Sequence, residues 1–279
     1  MDILDFRLRP PSHSYLDLRI YTRERITWFA ELLAVPPPQA ALNRSMKEFW
    51  GELAEAGIKL GVMNGRDCPE PHGIVTNEDV ADLQRQFPDK LIGTGGVRLA
   101  RDNSLAQVDH AIKELGLRGI AIDPGFNDPP MYSSAPEVYA VARRCAEYKV
   151  PLIINSSTVA GPDVSYAEPV HIDRLAAACP ETTIVVSHGC WPNAQAMCGV
   201  AFRRGNVYVS PDMYMMRCPG VPDYVMAMNT FLADRFLFGS AYPSCAMKPL
   251  VDYYAELPIK DSVRPKVMYQ NAARLLGLA

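Results

Sequence analysis

Short apolar runs alternate along this chain with longer stretches of helical periodicity. The apolar runs predict strands at Ile3–Leu8, Ile58–Asn64, Leu91–Val97, Gly119–Asp123, Pro151–Asn155, Thr183–His188, Val207–Pro211 and Phe236–Gly239. Each is apolar at successive positions, as a parallel strand buried on both faces is. Between them, helical spacing predicts helices at Met46–Ala56, Asn77–Phe87, Leu105–Leu115, Glu137–Tyr148, Val170–Ala178, Ala194–Arg203 and Pro222–Ala233. The punctuation agrees. Thr76 stands as a cap before Asn77-Glu78-Asp79, which brings acids into a first turn. Gly57 and Gly116 close helices ahead of the next strand. Strand–helix units repeated in this way predict an α/β fold, a (β/α)8 TIM barrel rather than an open sheet.

Residues 1–279 are read as one domain, because barrels of roughly 250 residues fold as a unit. Two segments break the rhythm. Residues 9–45 form a Pro- and Arg-rich insertion after the first strand, and residues 124–136 form a loop rich in Pro, Gly and Asn after the fourth. Loops that follow barrel strands lie on the active-site face, so both are lid candidates; surface packing or an oligomer contact is the alternative.

The net charge of −3, with no basic run, excludes the broad field that nucleic-acid binding needs. Neither GxGxxG nor GxxxxGK[ST] follows a strand, which argues against the usual dinucleotide and P-loop sites. No apolar window is long enough for a membrane span, and the start MDILDFRLRPP does not read as a secretory signal. The seven cysteines contain no CxxC pair. Reduced thiols in the cytoplasm are the simplest expectation.

The C-terminal ends of the predicted strands carry Arg7, Arg9, Arg66, Asp123, Asn155, Ser156, His188, Cys190, Asp212 and Tyr242. That is more polar than barrel-core positions should be. The landmarks Asp5-Phe6-Arg7-Leu8-Arg9-Pro10, Val186-Ser187-His188-Gly189, Leu237-Phe238-Gly239-Ser240-Ala241-Tyr242-Pro243 and Asn271-Ala272-Ala273-Arg274-Leu275-Leu276 are similar to those of the amidohydrolase superfamily. Within it, the chain resembles the branch of aminocarboxymuconate semialdehyde decarboxylase and related aromatic-acid decarboxylases. The resemblance implies the barrel fold, frequent dimers, and a divalent metal held by a His-x-His on strand 1, a His on strand 5, a His on strand 6 and an Asp on strand 8. Here those positions hold Arg7 and Arg9, Asn155, His188 and Ala241. A guanidinium has no lone pair for a cation, and a zinc site wants at least three good protein ligands. The expectation is therefore no metal and no other cofactor.

Arg7 and Arg9 share a face by strand alternation and, with Arg66, suit a carboxylate or an oxyanion. The competing reading is an internal salt bridge to Asp123 or Asp212. His188 is the candidate acid–base catalyst, with Asp212 to orient it or to act as a base. Asn155 and Ser156 are expected to hydrogen-bond substrate, and Tyr214 and Tyr242 to line the pocket. Cys190 is a weaker nucleophile candidate. Trp191, Met213, Met215 and Met216 read as packing. His13, His72, His110 and His171 have no comparable setting, and the last two are expected to be solvated.

These positions point to a metal-independent hydrolase acting on a small anionic, carboxylate-bearing substrate or a cyclic carbonyl compound. A decarboxylase or hydratase on a small unsaturated acid is the alternative, and a non-catalytic ligand-binding barrel the third reading. The expected partners are a small-molecule substrate and, by resemblance, a second copy of the chain, with neither nucleic acid nor membrane.

Overall fold

A computed structural model of the chain describes residues 1–278. Seven parallel strands run in sequence order around one sheet: β1 Ile3–Leu8, β2 Ile58–Asn64, β3 Leu91–Gly96, β4 Ile120–Ile122, β5 Leu152–Ser157, β6 Ile184–Trp191 and β7 Val207–Ser210. The eighth position is an irregular segment bridged in parallel at Val209 and Phe236. Leu237 N–H donates to Val209 O (3.0 Å) on one side, and Phe6 N–H donates to Phe238 O (2.9 Å) on the other. The sheet thereby closes on itself as a TIM barrel, which removes its edges.

Two apolar layers hold the barrel. Leu4, Phe6, Val62, Ile92, Ala121, Ile153, Val185 and Leu237 form an inner cluster, one or two from each contributing strand, against Ala272 and Leu276 of the C-terminal helical segment. The larger outer cluster lies between strands and helices. Seven of the expected strands are present within a few residues, and the helix Ala194–Arg203 has the predicted bounds. The helix expected to reach Ala233 stops at Met228. The pattern at 105–115 is α-helical to Asp109 and then widens into a π turn over His110–Glu114.

The insertion is folded. Two 3-10 turns, His13–Asp17 and Arg19–Tyr21, lead into a helix at Arg23–Leu33, capped by Thr22 Oγ1, which accepts from Arg25 N–H. Tyr15, Leu18, Tyr21, Ile26, Phe29 and Leu33 are buried. The Tyr15 hydroxyl donates to Asn64 O at the end of β2, and that of Tyr21 to Arg9 O just past β1. Those two bonds pin the insertion to the C-terminal rim of the strands. Among the described residues no helix is long and apolar enough to cross a membrane.

Candidate functional site

At that rim lies a cavity of about 140 Å³. Strand 1 delivers its first two arginines. The β1–β2 register shifts between Asp5 and Leu8, and such an irregularity re-aims side chains. Arg7 and Arg9 both line the cavity, with Arg66, Asn155 and His188.

Two arginines are neutralised from within. Arg66 makes a bidentate pair with Asp123, at 2.8 and 3.2 Å, and Asn155 Nδ2 donates to the same carboxylate. Burial works to raise the Asp123 carboxyl, but Arg66, Asn155, Arg7 and Arg9 together hold it below its ordinary range. Arg7 Nη1 lies 3.2 Å from Asp212 Oδ2. Asp212 also accepts from Ser210 Oγ (2.6 Å) and from His188 N–H (3.1 Å). Its burial is complete and raises its carboxyl despite these donors. A Cβ on Gly239 would come within 2.6 Å of Asp212 Oδ1, so this glycine makes room for the carboxylate.

Both readings of the strand-1 arginines therefore have a place. Arg7 is the internal ion pair. Arg9, 7% exposed, meets only the carbonyl oxygens of Ala241 (3.5 Å) and Tyr242 (3.4 Å). Burial, then repulsion from Arg7 and Arg66, presses Arg9 down to about 9, and it stays cationic at neutral pH. It is a buried cation on the cavity wall that forms no ion pair among the described residues, Asp123 acting on it only from a longer distance.

His188 Nδ1 sits 3.3 Å from Asp212 Oδ2 but makes no well-aligned hydrogen bond there. Burial, followed by Arg7, Arg9 and Arg66, pushes the imidazole well below its usual range. The ring is neutral at neutral pH, with Nε2 left for the cavity. Tyr214 packs edge-on to it, ring centroids 5.3 Å apart, and stacks on Trp191 behind.

Several expectations need correction. Tyr242 does not line the cavity; its ring packs on Phe49 in the outer core, 5.4 Å between centroids. Tyr214 supports His188 rather than facing a ligand, and burial raises its hydroxyl to about 12. Ser156 is turned away as well, with Oγ near Tyr166 O and Cys190 Sγ. Burial lifts the Cys190 thiol to about 12, which removes it as a thiolate nucleophile. His72, assigned no setting, stacks on Phe126 (3.8 Å) at the cavity wall. His171 is buried against Tyr132 rather than solvated. Arg19 and Arg25, both from the insertion, line the cavity and were missed. Their only sequence signal is the Arg-rich composition of that segment.

The amidohydrolase family profile matches residues 8–278. The chain is a member of the amidohydrolase family. An uncharacterized TIM-barrel protein from Bordetella bronchiseptica is 41% identical, with a TM-score of 0.96 over 100% of this chain and 99% of that one. A dihydroxybenzoic acid decarboxylase from Polaromonas, solved with bound manganese and 2-nitroresorcinol, is 15% identical with a TM-score of 0.67, covering 99% and 96% of the two chains. A probable 2-pyrone-4,6-dicarboxylic acid hydrolase from Acinetobacter baumannii, solved with citric acid, is 14% identical with a TM-score of 0.65, covering 99% and 100%. Those last two likenesses bear on the fold alone. No curated protein matches the chain.

The family's metal site does not fit these residues. Among the described residues no group of three or more His, Cys, Asp or Glu is placed to hold a cation. Of the two carboxylates at the site, Asp123 is paired with Arg66 and Asp212 with Arg7. Arg7, Arg9, Asn155 and Ala241 stand where the resemblance implies metal ligands, and the three arginines that act on His188 would repel a divalent ion.

Proposed function

We propose that this amidohydrolase-family enzyme is a hydrolase that opens a small carboxylate-bearing ester or lactone without a metal. The observation that carries the reading is a neutral, buried His188 held beside Asp212, on the wall of a cavity where Arg9 has no carboxylate partner. In the step we derive, water attacks the substrate carbonyl carbon while His188 Nε2 takes its proton. The carbonyl oxygen becomes an oxyanion facing fixed positive charge from Arg9, with Arg7 behind it. Collapse of the tetrahedral intermediate breaks the bond to the leaving oxygen, which recovers the proton from His188. Asp212 acts as a positioning residue: it holds the backbone of His188 and faces Nδ1, so it stabilises the imidazolium while that exists.

Decarboxylation is the second reading, and it is favoured by the names of fold neighbours such as the Polaromonas decarboxylase. It requires a proton donor to the carbon that loses carbon dioxide. An imidazole kept neutral by burial and three arginines carries no proton in advance for that carbon, whereas in hydrolysis it first takes one from the attacking water and then passes it on, which is why hydrolysis ranks first. The test uses chelator-treated protein and a panel of lactones and enol esters bearing one or two carboxylates. Acid release in a pH-stat without carbon dioxide is expected. Carbon dioxide release, or activity that disappears with the chelator and returns with Mn2+, would overturn the proposal.

A further inference from the structure

The cavity has two tiers of positive charge. In the inner tier, Arg7 and Arg66 are matched by Asp212 and Asp123, and Arg9 is left over. The outer tier is Arg19 and Arg25 on the insertion, and neither forms an ion pair among the described residues. The pair is close enough that Arg19 helps to lower Arg25, after the larger effect of burial. Glu24 opposes that shift without forming an ion pair with Arg25. Arg25 is also held in place: its guanidinium carbon lies 4.4 Å from the Trp28 ring centroid and 5.3 Å from that of Phe29, and Phe29 lines the same cavity. A cation stacked on aromatic rings keeps its N–H edges free for an anion. His72, also on the cavity wall, adds no negative charge; burial, then Arg66 and Arg19, disfavours its protonated form against the opposing effects of Asp123 and Glu70. Arg19 is exposed and Arg25 half-buried, so both guanidinium groups reach solvent at the cavity with no protein counter-ion to displace before an incoming anion meets them.

We infer that Arg19 and Arg25 form a second anion subsite at the cavity mouth, so that the substrate carries two anionic groups, one for each tier. The inner group meets Arg9, and the outer group bridges Arg19 and Arg25. The insertion is thus the specificity element: it selects dianions over monoanions of the same size. This inference rests on the proposed reading of the site as a substrate pocket, but it concerns binding and needs no turnover.

The experiment is calorimetric titration of the intact protein with two matched pairs, glutarate against valerate and isophthalate against benzoate. The wild-type protein is expected to bind each dianion at least about tenfold more tightly than its partner, as one added charge-assisted contact implies. In Arg19→Gln/Arg25→Gln that preference collapses toward unity while monoanion affinity holds. Arg9→Met instead weakens both members of each pair. Arg19→Gln alone, at an exposed position that cannot disturb the core, shows part of the loss. The inference fails if wild type does not prefer the dianions, or if the double variant weakens both members equally, since that would be a general field and not a subsite. Dianion preference without hydrolysis of any lactone would leave the subsite standing and sink the hydrolase reading alone.

Discussion

The buried pair of Arg7 and Asp212 should respond unequally to loss of either partner. Arg7 is 3% exposed and Asp212 not at all. The substitution Asp212→Asn keeps the shape. The amide oxygen it introduces can take the place of Oδ2 and still accept from His188 N–H and Arg7, while the amide nitrogen faces Ser210 Oγ, which can rotate to accept. The hydrogen bonds survive; the charge opposite Arg7 does not. An uncompensated buried charge costs roughly 3–5 kcal/mol, and we expect about 3 here because Asp123 also lies within reach of Arg7's field. Arg7→Met leaves the opposite problem with an escape. Burial already raises the Asp212 carboxyl, so without Arg7 it takes up a proton and becomes neutral. That variant should lose only about 1.5–2 kcal/mol, the low end for a lost hydrogen bond to a charged group. A folded-state pKa above the unfolded value stabilises at low pH and less as pH rises, so the Arg7→Met deficit should grow with pH. Combining the two substitutions removes both charges, and the double variant should be more stable than the sum of the singles by at least about 1.5 kcal/mol. Urea unfolding of the four proteins at pH 6 and pH 8 measures all of this. Additivity within about 0.5 kcal/mol, or equal single losses at both pH values, would refute the reasoning.

Two other outcomes follow from the same electrostatics. The acid limb of kcat/KM should lie below the usual histidine value near 6.5, because burial and the three arginines keep His188 neutral to lower pH; a limb at or above that value rules out His188 as the base. Asp5 is fully buried, accepts from the backbone N–H groups of Arg7 and Ser240, and is pushed up by burial to about 7. The wild type should therefore lose stability as pH rises from about 4 through 7, and Asp5→Asn, whose amide oxygen can accept both bonds, should gain on wild type over that window in urea titrations.

Much of the fold was legible because parallel strands covered on both faces read as short, mostly apolar runs between helical patterns, repeated eight times in this chain. β1 and β2 have the predicted bounds. The eighth strand reads as a strand in Phe236–Gly239, yet it pairs regularly only at one bridge, because it must bend to meet both β7 and β1. His188, Asp212, Arg7, Arg9, Arg66 and Asn155 were legible from strand-end position alone. Tyr214, Tyr242 and Ser156 were misread because a residue just beyond a strand can turn either way, and apolar neighbours such as Phe49 and Trp191 decide which. Arg19 and Arg25 could not be placed at all. Their location depends on how Tyr15 and Tyr21 tie the insertion to the rim, which no local pattern encodes.

The backbone around the cavity shows what such a site retains when its ligands change. His188 lies within the C-terminal half of β6, Asp212 just past β7 and Ala241 just past the eighth strand segment, and all three have left-handed backbone, with φ of 65°, 56° and 57°. A residue with a Cβ held there costs about 1 kcal/mol or more, so three at one rim call for a reason. At His188 and Asp212 the reason is visible: the turn brings the His188 N–H and ring to the Asp212 carboxylate. Ala241 stands where the family's Asp ligand would be and has no polar side chain to aim. Its strain persists because its backbone is occupied. Its N–H donates to Arg7 O (2.8 Å), closing the seam between strands 8 and 1, and its carbonyl faces Arg9 Nη1. The same distorted turn that would present a ligand also joins the barrel's ends and seats the unpaired arginine. The side chain could therefore be lost while the backbone shape was kept, and Ala241→Gly should relieve the strain without opening the site.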